Sequence, residues 1–169
     1  MMSNSSTEVG GISNIYIDSI LSKLPLLWNG VYSSDNIPQS LLRGANNFII
    51  VVNFSRANTS GSHFITFCRL NRKYILLDSM ATPPSALPPD IRSILSNKSI
   101  IYLFKYPIQD IISHYCGFYC IYFVLYMNAS VTLRQLFSPK IFSVRNLLSN
   151  DAKCLYAIKS MINYYLMQQ

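Results

Sequence analysis

The stretch Gly61–Ser79, GSHFITFCRLNRKYILLDS, decides how this chain folds. Phe64 to Leu70 and Lys73 to Leu77 are rich in Phe, Ile, Tyr and Leu and are separated only by Asn71 and Arg72. They predict two strands of a tight hairpin. With Asn71-Arg72 as the loop, Leu70 faces Lys73 and Ile65 faces Asp78. His63 is then the diagonal neighbour of Asp78, and side-chain alternation puts both on one face. Diagonal neighbours lie roughly 7–8 Å apart at the backbone, a gap that an imidazole and a carboxylate can close. A register slip of one residue would send Asp78 to the opposite face.

Upstream, Phe48 to Phe54 is a continuous apolar run and predicts a buried strand, followed by a polar loop from Ser55 to Ser62. Ser13 or Asn14 can cap a first helix through Leu24, with Ile17, Ile20, Leu21 and Leu24 on one face and Pro25 at its end. Gly30 and Ser33–Asn36 are turn signals. Residues 1–12 read as a flexible tail and residues 13–169 as a single domain. Downstream, Met80 to Pro89 is too rich in proline for regular structure. Asp90 to Leu95 predicts a short helix, Ser99 to Phe104 a strand, and Lys105 to Tyr115 an irregular link. From Cys116 to about Ala129 there is no proline and the chain is apolar almost all round, the pattern of a buried central helix. Ser143 to Leu166 carries a second long helical pattern. Helix, then strands, then helices implies an α+β domain, a central mixed sheet packed on the buried helix.

The chain has 169 residues, of which 50% are hydrophobic and 12% charged, which suits one core and leaves no room for a second enzymatic domain. The formal charge is +7, but the 14 basic residues are scattered and form no run. Such a balance is compatible with a polyanion partner or with plain solubility. The first residues lack the basic and apolar regions of a signal peptide. The longest apolar stretch is interrupted by Gly117 and too short for a bilayer. The expectation is therefore an intracellular protein without a membrane partner. Cys68, Cys116, Cys120 and Cys154 show no disulfide spacing, and the paired knuckles of a zinc site are absent, so no metal is expected.

The chemistry-bearing residues are His63, Asp78, Gln109 and Cys116. Cys116 stands where the link becomes the central helix, and the positive end of a helix favours thiolate over thiol. Gly117 behind it leaves room for a substrate backbone. Gln109 lies in the link, seven residues before Cys116. Its amide can donate to an oxyanion beside the Cys116 backbone N–H. His114 is a competing base, and Cys120 reads as core. A single His, Asp, Gln or Cys is uninformative; the ordered set with these contexts is not.

With these residues the chain resembles the adenovirus-type cysteine proteases, within the wider group of SUMO and ubiquitin-like proteases. The resemblance rests on Gly61-Ser62-His63-Phe64, Tyr74-Ile75-Leu76-Leu77-Asp78-Ser79, Gln109 and Cys116-Gly117-Phe118-Tyr119-Cys120, and extends from about Asn29 to Met127. Trp28-Asn29-Gly30-Val31-Tyr32 resembles the G-x-Y segment before the first strand of those enzymes. The pair Asp78-Ser79 and the helix that starts at Cys116 look most like proteases of adenovirus-related DNA viruses and large self-synthesising virus-like transposons. The resemblance implies a permuted papain-like fold with His63, Asp78 and Cys116 as triad and Gln109, with the Cys116 N–H, as oxyanion donor. It implies endopeptidase cleavage of capsid or core precursor proteins after Gly during virion maturation, in the host nucleus or the virion. No cofactor is implied for the chemistry, but DNA and a short viral peptide are implied as activators. Phe64 stands where the family has Trp, an apolar ring that can pack over the site, and Asp78 where many members have Glu. No Cys lies between Cys68 and Cys116, so a disulfide-tethered peptide is not expected. The competing readings are a SUMO or ubiquitin-like isopeptidase, in which the step from Gln to Cys is usually shorter, and a catalytically silent DNA- or protein-binding module.

Overall fold

The hairpin forms as its sequence requires. In the computed structural model, which describes residues 12–57, 59 and 61–168, β3 (Phe64–Leu70) and β4 (Lys73–Leu77) pair antiparallel with Leu70 opposite Lys73 and Thr66 opposite Leu77. Asn71 and Arg72 have φ of 49° and 65°, the left-handed pair that a two-residue loop needs to match strand twist. β2 (Phe48–Asn53) pairs with the other side of β3, and all six of its residues are buried. β1 (Val31–Ser33) adds in parallel beyond β2, and β5 (Ile100–Tyr102) in parallel beyond β4. The result is a five-stranded mixed sheet in the order β1-β2-β3-β4-β5 within an α+β architecture.

Both faces of this sheet are covered, which is why β2 reads as an unbroken apolar run rather than an alternating one. One face presents Ile49, Val51, Phe64, Cys68 and Leu77 to α1 (Asn14–Leu21), α4 (Cys116–Asn128) and α6 (Leu147–Met167). The other presents Phe48, Ile50, Val52, Ile65, Phe67 and Leu76 to α2 (Gln39–Arg43), α3 (Pro89–Leu95) and Leu87. α4 is the centre of the larger core, with Tyr119 through Leu125 all buried.

Several boundaries move for local reasons. α1 stops at Leu21 rather than Leu24, because the residue before Pro25 is pushed out of helical geometry. α6 starts at Leu147 rather than Ser143: the Asn146 side chain caps it by accepting from the Ser149 N–H, and the Ser143 N–H donates to Asn150 Oδ1 instead. The proline-rich stretch Met80–Pro89, expected to be irregular, contains one 3₁₀ turn at Pro84–Ala86; proline at the first position of such a turn loses no hydrogen bond. β1 was legible only as turn signals. It forms because Asn29 clamps Ile49, donating its N–H to the Ile49 carbonyl and accepting from the Ile49 N–H, each at 3.0 Å. α2 and α5 (Val131–Leu136) are too short to show a helical period. Of the tail expected over residues 1–12, residues 1–11 lie outside the described residues, and Ile12 packs against the core.

Candidate active site

His63 and Asp78 each stand one residue beyond the paired part of their strands. They meet at the end of the sheet, and the register that pairs Thr66 with Leu77 makes them the diagonal neighbours that the sequence predicts. His63 Nε2 is 2.7 Å from Asp78 Oδ1. The His63 carbonyl accepts from the Phe54 N–H at 2.8 Å, and the Phe54 ring packs edge-on against the imidazole with centroids 4.9 Å apart. The ring packed on the imidazole is Phe54, while Phe64, expected to pack over the site, belongs to the larger core and also lines the cleft.

Asp78 is 4% exposed and held on both oxygens. The Met80 N–H donates to Oδ1 at 2.8 Å and the Thr82 N–H to Oδ2 at 2.9 Å. This turn places Ala81 at a φ of 49°, unusual for a residue with a Cβ. Burial opposes ionisation of Asp78, but the His63 hydrogen bond and charge, with hydrogen bonds from the Thr82 side chain and the Met80 N–H, hold its pKa below the ordinary 3.8. Burial likewise opposes the imidazolium, but Asp78 and the Cys116 side chain beside the ring outweigh it and raise His63 from 6.5 to about 9. With Nε2 committed to the carboxylate, Nδ1 is the nitrogen left to exchange a proton with Cys116.

Cys116 is the first residue of α4, whose N-terminus has no side-chain cap. The helix leaves its first N–H groups free at that end. Of the four free cysteines only Cys116 is not buried. Cys120, one turn on, is raised well above the ordinary thiol value by burial, and Cys68 to about 12 by the same cause. His63, Gln109 and Cys116 line one open cleft of about 940 Å³, and Asp78 sits behind its wall.

Gln109 is 2% exposed and its amide is fixed at both ends. Ser79 Oγ donates to Oε1 at 2.6 Å, and Nε2 donates to the Ser113 carbonyl at 2.7 Å. One amide N–H remains for a ligand. The Ser79 carbonyl also accepts from the N–H groups of Ile108 and Gln109. The adjacent pair Asp78-Ser79 thus orients both halves of the site, Asp78 the imidazole and Ser79 the amide. The link is braced further from the helices. Asn150 Nδ2 donates to the Ile108 carbonyl at 2.7 Å, and the Tyr119 hydroxyl stands 3.2 Å from that carbonyl and 3.0 Å from Asp151. These braces were not found in the sequence; an Asn buried in an apolar helical pattern was the one available signal.

His114, the competing base, is exposed on the cleft wall. The room expected beside Gly117 for substrate is filled from within the chain: a Cβ there would lie 2.5 Å from Ile12 Cγ1 and 3.3 Å from Ile17 Cδ1. Among the described residues no cluster of His, Cys, Asp and Glu is arranged to hold a metal, and no helix is long and apolar enough to cross a membrane. No protein-family model matches the chain, and no curated protein matches it.

Proposed function

We propose that the chain is a cysteine endopeptidase of the adenovirus type, with a permuted papain-like fold, acting on capsid or core precursor proteins after Gly during virion maturation. One observation carries the reading. An imidazole locked to a buried carboxylate at 2.7 Å shares a cleft with a thiol at an uncapped helix N-terminus and with a fixed amide donor. Each group supplies what acyl transfer through a thioester requires.

In this mechanism His63 takes the Cys116 proton on Nδ1, and Asp78 stabilises the imidazolium. The thiolate attacks the substrate carbonyl carbon. The oxyanion receives the free Gln109 N–H and the Cys116 backbone N–H. His63 then passes its proton to the leaving amine, and water, deprotonated by His63, hydrolyses the thioester. The viral substrate class, the nuclear or virion setting, and activation by DNA and a peptide follow from the family resemblance; the +7 charge is compatible with the DNA part.

The test is alkylation by iodoacetamide near neutral pH with mapped sites, followed by cleavage of peptides with Gly before the scissile bond. Fast labelling at Cys116 that slows in His63→Ala, together with cleavage lost in Cys116→Ala, is the expected result. Equal, slow labelling of all four cysteines and no cleavage, with and without DNA, would favour a silent binding module.

A further inference from the structure

We propose that Ile12 is a positioning residue for the nucleophile: it fills the notch left by Gly117 and so fixes the first turn of α4, which carries the Cys116 thiol and N–H. The inference rests on the protease reading above and extends it to a residue outside the acyl-transfer set. Gly117 has no open space on its side-chain face. A Cβ built there would lie 2.5 Å from Ile12 Cγ1, 3.0 Å from Ile12 Cδ1 and 3.3 Å from Ile17 Cδ1. Alanine is the better helix former, so the glycine serves this close approach and not the helix. Ile12 is β-branched and stiff at χ1. Its Cγ1 can yield to an added methyl only by leaving its rotamer or by moving backbone.

The first turn of α4 depends on such packing. Its N-cap residue, Tyr115, makes no side-chain cap hydrogen bond. Support comes instead from α1 and the residues that lead into it. Ile12 and Ile17 close on Gly117, and the Tyr16 ring meets Phe118 edge-on with centroids 6.5 Å apart. Of these residues, Ile12 is the one that also lines the cleft with Cys116. Its neighbours hold it in place. Ser13 caps α1 by accepting from the Tyr16 N–H at 3.2 Å, and Asn14 Oδ1 accepts from Asn53 Nδ2, at the end of β2, at 3.4 Å. Ile12 thus ties the start of α4 to α1 and to the sheet.

The link to the chemistry is covalent. Cys116 and Gly117 share a planar peptide, with Cα atoms about 3.8 Å apart. A tilt at Gly117 therefore moves the thiol and the Cys116 N–H together. The thiol has to meet His63 and the substrate carbonyl carbon, and the N–H has to point at the oxyanion. A misplacement on the order of 1 Å costs about 10²-fold in rate. Substrate affinity is spread along the whole cleft and should change far less.

The experiment measures kcat and KM on peptides with Gly before the scissile bond, with thermal unfolding and iodoacetamide labelling of Cys116 in parallel. The variants of the full chain are Ile12→Ala, Gly117→Ala, the two together, and Ile20→Ala, an α1 residue packed on the same core. Gly117→Ala should lower kcat by about 10²-fold and Ile12→Ala by about tenfold, each with KM nearly unchanged. In the double variant the new methyl takes the space that Ile12 vacates, and kcat should recover at least to the level of Ile12→Ala. Ile20→Ala should lower the unfolding midpoint and leave kcat alone. Wild-type kcat and labelling in Ile12→Ala would overturn the proposal. So would an effect confined to KM, which would make Ile12 a substrate contact. A kcat that tracks the unfolding midpoint in every variant, Ile20→Ala included, would reduce Ile12 to ordinary core packing. If Gly117→Ala does not fold, the contrast between Ile12→Ala and Ile20→Ala still decides. A wild type that cleaves keeps the protease reading whatever the variants do; one that neither cleaves nor labels selectively at Cys116 sinks both.

Discussion

The His63–Asp78 pair at the end of the hairpin and the Gln109 amide on the link before α4 reach the same cleft from two kinds of scaffold. The hairpin half is held by strand pairing and by donors two and four residues from Asp78. The link half has no strand or helix of its own between β5 and α4. It is held by side chains from elsewhere: Ser79, thirty residues from Gln109, and Asn150, forty-two from Ile108. A functional loop is only as well aimed as the groups that brace it, so the two halves should fail differently when perturbed.

The largest effect belongs to the residue where the halves meet. Cys116→Ala should reduce peptide turnover to background, whereas Cys120→Ala, one turn away, should keep the rate and cost about 1 kcal/mol in denaturant unfolding. The reverse pattern would move the nucleophile into the core. On the hairpin half, Asp78→Asn should lower kcat by about 10²–10⁴, the range of an acid–base contribution, and an unchanged rate would reduce the triad to a Cys–His pair. On the link half, Gln109→Ala should lower kcat by about 10²–10³ with a much smaller change in KM. An effect confined to KM would make the amide a ground-state binder instead of an oxyanion donor.

Smaller effects separate bracing from chemistry. Ser79→Ala removes the hydroxyl that holds Gln109 Oε1. It should cost about tenfold in kcat, the equivalent of one ordinary hydrogen bond, and nothing further in a Gln109→Ala background. Additive losses in the double variant would show that Ser79 acts by another route. A separate readout, of stability and not of rate, is the pH dependence of unfolding. His63 is raised from 6.5 to about 9, so its ion pair stabilises fully below about 6.5 and is lost as pH climbs through about 9. Asp78 is lowered from 3.8, so its contribution is present above that value and fades as pH falls through its lower folded value. Thermal unfolding of wild type should weaken between pH 7 and pH 9 (roughly the span of the His63 shift), and Asp78→Asn should flatten that slope.

The two halves were also unequally readable. Strand period and a two-residue loop settle the β3–β4 register, and the register alone predicts that His63 and Asp78 meet. An apolar pattern almost all round and the absence of proline after Cys116 make the buried helix plain, and Cys116 at its start follows. Nothing local reveals that Phe54 supplies the ring against His63, because that contact depends on where the β2–β3 connection returns. Nor does the polar residue Asn150 declare a role until α6 packs beside the link.

Periodicity and turn chemistry are local, and they were enough for the hairpin, the central helix and the α+β class, whereas the four candidate residues stood out only as an ordered set together with the family resemblance. The aim of the Gln109 amide, the bracing of Ile108 by Asn150 and Tyr119, and the placing of Ile12 over Gly117 are long-range packing outcomes. Each joins segments whose separation along the chain carries no period. Only closing the core brings such segments within hydrogen-bond or van der Waals distance.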